Sequence, residues 1–584
     1  MAKRRLSETS DHDRHTKRSK ADPSTVDRIS NLSHEIILRV LSFLPVPDLI
    51  VCHRLSRHFR ALAGDSQLWK ALYYNRYVRP RASRIPGIRD SGVPADSLHF
   101  SSKLSKWLDE ESLVRRGQDT NWKRQYKLRH NWSKGCCAVS EVPVSEQPSV
   151  PPILVQMHES IVYLADQTDG LRAWTNSHGR TILASIPFHM IPNHDRTSPP
   201  TALAIDTGSN VGARSRVVVG FQDGSFSVYE LDLDACVFVR KYSHPASSNG
   251  MLGGVAISSP YLATMTANQL LSLYKFKEPL DGVRASDKVL DPPRLLHSLH
   301  SHTVWPPHTL SIRPSADTIL VSIAYALPTY LSGWTVGIQE MRMSADNGEL
   351  VSSRLASAID PNYRPLTFSH SPSSSPSGQV SNTTSNLFAT YDSLEANQIH
   401  SKPTSLSYTH PYLLVSHPDN TLTLYLVSST TDSLSISSGS RLWGHTSSVS
   451  GAHVGGRGKA VSVTSRGDEL RVWELEGGFT SAAAKRRLQS GELSVSIRPE
   501  RLAGGEDTTD RTTSAKGIDS SSVDRITSAV TARGNGLGLA LEYGKVDPDE
   551  TSMIRGWIGF DEENVVVLKE KSCGGQSLVV YDFA

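Results

Sequence analysis

The chain has 584 residues, of which 38% are hydrophobic and 21% charged, and its 62 basic and 58 acidic side chains leave a net charge of +4. That length exceeds what one ordinary core serves, so at least two folding units are expected. So even a charge balance offers no concentrated basic surface to neutralise phosphates, which argues against a nucleic-acid partner.

The five cysteines, Cys52, Cys136, Cys137, Cys236 and Cys573, are scattered and form no CxxC pair. A disulfide scaffold or structural zinc is therefore not expected, and a reducing compartment is. No apolar run approaches 18 residues, so neither a transmembrane helix nor a membrane partner is expected. Residues 1–28 form a basic tail expected to be disordered, too charged to be a secretory signal. Within it, Lys3-Arg4-Arg5 and Lys17-Arg18-Ser19-Lys20 resemble a bipartite nuclear import signal carried by Lys3, Arg4, Arg5, Lys17, Arg18 and Lys20. The competing reading is a solvated tail that happens to be basic. The expected location is the nucleus, the cytoplasm or both.

Residues 29–75 carry helix punctuation. Ser33 is a candidate cap for a helix with Ile36, Ile37, Val40, Leu41 and Leu44 at helical spacing. Pro45 and Pro47 stop it, and Asp48 opens a second helix with Leu49, Ile50 and Cys52. A third run holds Leu55, Phe59 and Leu62, and a turn at Gly64-Asp65 leads to Leu68-Trp69 and Leu72. The first helix is apolar on more than one face, and fewer than 50 residues cannot bury it all. A partner is expected to cover the rest; an ordinary helical subdomain packed on the remaining chain is the alternative.

These positions resemble the F-box family: Leu32, Glu35-Ile36, Leu38, Val40-Leu41, Leu44-Pro45, Asp48-Leu49, Cys52, Leu55-Ser56, Phe59, Leu62 and Leu68-Trp69 stand where its pattern expects them. Ser33 departs from the usual proline and Phe59 from the usual tryptophan. The resemblance implies binding to the Skp-type adaptor of SCF (Skp, cullin, F-box) ubiquitin ligases through Leu32, Ile36, Leu44, Pro45, Leu49 and Leu55.

Residues 76–134 read as a Pro/Ser/Arg-containing linker followed by helical content from Ser105 to Lys134, similar to the stalk of F-box/WD-repeat proteins. Asn131-Trp132-Ser133-Lys134-Gly135 resembles their propeller entry. From 135 onward the pattern alternates with period two. A turn residue, alternating apolar positions and a closing Trp or Tyr recur at Asp169–Trp174, Asp223–Tyr229, Asn268–Tyr274, Asp419–Tyr425, Gly467–Trp473 and Gly575–Tyr581. Neighbours mostly spaced roughly 45–55 residues apart suit four-stranded blades. About seven blades are expected, near 153–188, 200–244, 250–302, 303–357, 402–445, 446–500 and 553–584, with a strand near Cys136–Val142 closing the ring. A β-sandwich or another blade number is the competing arrangement.

The fold class expected is thus α plus all-β: a three-helix F-box module and helical linker, then a WD40-like propeller over 135–584. Ser/Pro-rich and Gly/Ser/Thr-rich insertions are expected near 364–402 and 500–550. Ser371 and Ser375, each followed by proline, read as linker rather than phosphosites, and Gly534–Gly538 lacks the strand–helix frame of a phosphate cradle.

The stretch from Gly444-His445 to Trp473 resembles a WD40 repeat, but Gly467-Asp468 replaces the usual Asp-Gly turn. That reversal puts the family's buried His-Ser-Asp-Trp network in question. Arg466 matches a phosphate-reading arginine of F-box/WD-repeat receptors, whereas Ser450 stands where a companion arginine is usual. Arg466 and Arg172 are the candidate substrate-binding residues.

No Walker loop, GxSxG elbow or HExxH is present, and His297, His300 and His302 have no carboxylate at ligand spacing. No catalytic residue, metal or cofactor is expected. The resemblance implies a non-catalytic substrate receptor of an SCF-type ligase, binding the adaptor, through it cullin, and protein targets in phosphorylated or unmodified form. The alternatives are an interaction scaffold that does not degrade its partner and a propeller enzyme with an unrecognised site.

Overall fold

The computed structural model describes residues 29, 32–79, 120–147, 149–175, 181–188, 198–207, 214–277, 290–300, 304–314, 318–329, 333–345, 348–358, 401–430, 433–455, 458–467, 469–475, 482–497, 553–571 and 574–584. The import signal, the stretch 105–119, both insertions except residues 401–402, His302, Asp468 and Cys573 lie outside them. The chain divides into two compact units, Met1–Arg129 and His130–Ala584.

The first unit contains four helices rather than three: α1 His34–Leu41, α2 Val46–Cys52, α3 Arg57–Ala63 and α4 Ser66–Tyr73, the last running into a π-helical turn over Tyr74–Val78. Ser33 stands at the cap position of α1 but its hydroxyl makes no capping bond. The working caps are Ser56, which accepts from Phe59 N, and Asp65, which accepts from Gln67 N and Leu68 N. Ile37, Leu41, Leu49, Leu62, Leu68, Trp69 and Tyr73 form the core with Trp122 and Tyr126 from the next helix, α5, Trp122–Lys134. Trp69 donates its indole N–H to the Ala63 carbonyl at 2.8 Å, and Arg76 donates to the Tyr126 hydroxyl at 2.6 Å.

The second unit is a ring of seven antiparallel sheets. Blade one takes Leu154–His158, Ile161–Asp166, Gly170–Thr175 and Ile182–Ile186. Blade two takes Pro200–Ile205, Arg214–Phe221, Phe226–Asp232 and Val237–His244; blade three takes Leu252–Ser258, Tyr261–Thr266, Leu270–Lys275 and Arg294–His300. Blade four takes Trp305–Pro314, Thr318–Thr329, Gly333–Ser344 and Leu350–Ser357. Blade five takes Ser405–Thr409, Tyr412–Ser416 and Leu422–Ser429, with Leu434–Ile436 and Ser440–Leu442 both pairing with the last. Blade six takes Val449–Val454, Lys459–Thr464, Leu470–Glu474 and Ser494–Ile497. Blade seven combines Met553–Phe560, Asn564–Glu570 and Gln576–Asp582 with a strand from the other end of the unit, Ala138–Ser145.

That last pairing closes the ring, matching Ala138 to Asp582 and Val142 to Leu578. Glu141 clasps it: its carboxylate accepts from Ser577 Oγ at 2.7 Å and lies 3.2 Å from Lys571 Nζ. The entry sequence docks beside it. Asn131 Nδ2 and Trp132 Nε1 donate to the carbonyls of Phe583 and Glu562, the Trp132 ring stacks on Phe583 at 3.9 Å, and Lys459 covers it. Gly135, at φ +71°, turns the chain into the closing strand where a Cβ would lie 2.9 Å from Val495.

Each recurrent ending in the sequence is the third strand of a blade, and Tyr229, Trp473 and Tyr581 are buried there. Blade four has no such aromatic; two twelve-residue strands replace it. Its third strand instead carries Glu340, fully buried at 0% exposure. One Glu340 oxygen meets Arg313 at 3.1 Å, and the other meets Arg354 at 3.2 Å and Ser429 Oγ of blade five at 2.6 Å.

The WD40 network is complete in blade six, contrary to the doubt raised by the reversed turn. His445 Nε2 lies 2.6 Å from Ser462 Oγ, which accepts from Trp473 Nε1 at 2.8 Å. The acid is Glu469: Oε2 accepts from Thr446 N at 3.2 Å and faces His445 Nδ1 at 3.5 Å. Burial opposes its charge, but the Ser496 hydroxyl, the Thr446 amide and Arg471 hold its carboxyl below the ordinary range. One extra methylene thus restores the reach that moving the acid past the turn would lose.

Removing a fully buried carboxylate strands two guanidinium groups between blades. Glu340→Ala is expected to destabilise the propeller by about 3–5 kcal/mol, read as a lower midpoint in urea denaturation with the helical module's signal unchanged.

Candidate functional site

Two places carry features that folding alone does not require. The first lies on the helical module. α1 has two apolar ladders at i, i+4 spacing: Ile37 and Leu41 point into the core, while Ile36 and Val40 point out and are about half exposed. Phe43 is 72% and Leu55 64% exposed, and Leu32, Ile50 and Val51 extend the uncovered apolar surface. Burying one such side chain stabilises by about 1.5–3 kcal/mol, so leaving this many in water on so small a unit is costly unless a partner covers them.

The six contact residues implied by the resemblance separate here. Leu32, Ile36, Pro45 and Leu55 are exposed, and Leu44 is partly buried against the core. Leu49 is fully buried, at 0% exposure, and belongs to the core rather than to a contact surface. Val40, Phe43, Ile50 and Val51 were missed as contact residues, although the outward ladder of α1 foreshadowed the first.

The second place is the propeller. Arg466 is exposed in the turn between the second and third strands of blade six. Ser465 N bonds to the Ser448 carbonyl at 2.8 Å, tying this turn to the segment entering the blade. Arg172 is elsewhere, 6% exposed inside blade one. It pairs with Asp166, with Asp169 at 2.9 Å and with the Val144 carbonyl at 3.0 Å. Its guanidinium fork is spent within the protein, so it braces the blade instead of reading a substrate.

The first strands of all seven blades surround a central channel of about 500 Å³. His308, Ser311, Ser405, Ser407, His453 and Trp557 are among its lining residues. Ser407 Oγ lies 3.4 Å from His453 Nδ1, and Phe560 meets the same imidazole edge-on. Burial pushes His453 down to about 4; it also lowers His308, which the neighbouring Gly253 backbone partly offsets. Among the described residues, no group of three or more His, Cys, Asp or Glu could hold a metal, and no helix is long and apolar enough to cross a membrane.

A family model described as the F-box protein pof12 beta-propeller matches residues 137–584, and an F-box-like model matches residues 29–75. The chain belongs to the pof12 family of F-box proteins. A curated relative, F-box protein dre-1 of Caenorhabditis elegans, is 31% identical over 105 residues, which is 18% of this chain and 9% of the relative. The match therefore spans less than a tenth of that protein. Similar solved structures include the WD40 beta propeller domain of Doa1, at 9% identity and TM-score 0.32 over 75% of this chain and 95% of that one. Another is BamB from Moraxella catarrhalis, at 10% identity and TM-score 0.34 over 76% and 99%. This F-box protein thus joins an F-box module to a seven-bladed WD40-like propeller in one chain.

The channel histidines give that propeller an acid sensitivity. Their folded values lie below the ordinary 6.5, so the folded state takes up fewer protons than the unfolded chain. The stability this represents is complete above pH 6.5 and drains as pH falls toward about 4. The urea midpoint is expected to drop between pH 6.5 and 4.5, and His453→Leu should flatten that dependence.

Proposed function

We propose that this F-box protein is a substrate receptor of an SCF-type ubiquitin ligase. Its helical module holds a Skp-type adaptor, and its propeller holds the protein to be ubiquitinated. The observation that carries the reading is the uncovered apolar face of Leu32, Ile36, Val40, Phe43 and Leu55 on a module matched as F-box-like. A surface of that kind fits a protein partner, because aliphatic and aromatic side chains gain most when a complementary face excludes water from them.

The work assigned to the chain is proximity rather than bond making. A receptor that holds target and ubiquitin-charged enzyme on one assembly raises their effective concentration without supplying a catalytic group. The propeller suits the target-binding half, since its turns present varied side chains on a rigid ring. Exposed Arg466 is the candidate for a phosphorylated target, as a guanidinium fork matches phosphate oxygens.

The test is co-purification of the full chain and of an Ile36→Asp/Leu55→Asp variant, with detection of adaptor and cullin. Both side chains are exposed, so the variant should keep its fold and its melting curve. Adaptor binding is expected to weaken by about 2 kcal/mol or more, roughly thirtyfold. Absence of adaptor and cullin from the wild-type preparation would overturn the reading. Recovery of both, with a captured partner whose lifetime is unchanged on deletion of residues 29–75, would instead mark a scaffold.

A further inference from the structure

His308, on the innermost strand of blade four, has an Nε2 that is buried and lacks a hydrogen-bond partner. The blade-three strand beside it supplies Gly253 and Gly254; a Cβ on Gly254 would lie 3.1 Å from that same nitrogen. Ser311 Oγ, on the same strand as His308, is also buried and unpartnered. Both residues line the channel. Buried polar atoms are nearly always paired, so two orphans facing one cavity point to something that pairs with them.

The chemistry of the wall narrows what that is. None of the described residues lining the channel carries a charged side chain. A phosphate or carboxylate entering it would shed its water without meeting a countercharge, which disfavours entry strongly. A neutral imidazole donates or accepts through Nε2 according to its tautomer, and a serine hydroxyl does both. The group that matches such a pair is itself neutral and carries a donor and an acceptor together.

We propose that the central channel is a binding site for an uncharged amide side chain, Asn or Gln, of a bound protein, read by His308 and Ser311. The inference rests on the receptor reading and deepens it: the target is selected by an unmodified residue inserted into the ring. The channel's volume, about 500 Å³, lies in the range of pockets that enclose small ligands and admits such a side chain with its flanking backbone. Burial that keeps His308 and His453 unprotonated preserves the neutrality of the wall near pH 7.

The experiment immobilises the full chain and screens two positional-scanning decapeptide libraries, one unmodified and one carrying phosphoserine. At least tenfold enrichment of Asn or Gln at one position of the unmodified library is expected. Gly254→Leu, which fills the space beside His308, and His308→Phe should each abolish the enrichment. His308→Gln, which retains a hydrogen-bonding atom, should keep part of it. Melting curves and adaptor recovery from the same preparations establish that each variant is folded. Preference for phosphoserine, no preference at all, or an amide preference that survives both Gly254→Leu and His308→Phe in folded protein would overturn the proposal. Failure to recover adaptor with the wild-type chain would count against the receptor reading alone, because the library readout does not depend on it.

Discussion

The propeller depends on one pairing, that of Ala138–Ser145 with Gln576–Asp582. Each blade touches mainly its two neighbours, so an open array would leave an exposed first strand and a blade of three strands. Joining segments more than 430 residues apart removes both liabilities. The junction is reinforced from two sides: Glu141 adds a polar clasp across the strands, and Trp132 stacks on Phe583 at the end of the chain. Closure in turn brings the seven inner strands together around the channel, so the cavity and its histidines are products of the same contact.

The two units distribute polarity in opposite ways. Inside the blades, Arg172, Glu340 and Glu469 are buried and bound to partners of complementary charge or hydrogen-bonding capacity. Such groups cost desolvation, and their gain is specificity of blade packing, since only the correct neighbour completes each set. On the helical module the inversion is at the surface, where large aliphatic and aromatic groups face water. A charge hidden within and an apolar face left outside are both unfavourable locally. The first is compensated inside the same blade ring, whereas the second is compensated by nothing on the module itself.

Much of this architecture was legible in the sequence because it repeats. The closing Trp or Tyr of the third strand marked six blades, and alternation alone marked the fourth, whose long strands carry Glu340 where an aromatic would stand. The Asn-Trp entry also read correctly, since Asn131 and Trp132 bond to the chain's last residues. Position within a short element was less legible. Leu49 lies in a seven-residue helix, too short for periodicity to tell its buried side from its exposed one. Arg172 alternates onto a strand face that the sequence shows as polar, and only the fold reveals Asp166 beside it. The reversed Gly467-Asp468 turn concealed Glu469, because spacing in sequence does not register the extra reach of a longer side chain.

The ring closure also sets a timetable for synthesis. A ribosome releases the helical module early and the strand Gln576–Asp582 some five hundred residues later. At ordinary elongation rates of about 5–20 residues per second, roughly half a minute to a minute and a half separates the two events. Throughout that interval blade one waits without its closing neighbour, and the strand Ala138–Ser145 has no mate. The nascent chain therefore carries an unpaired β-edge and an apolar helical face at once, and the cell's chaperones meet this protein in its most aggregation-prone form before it has a channel at all.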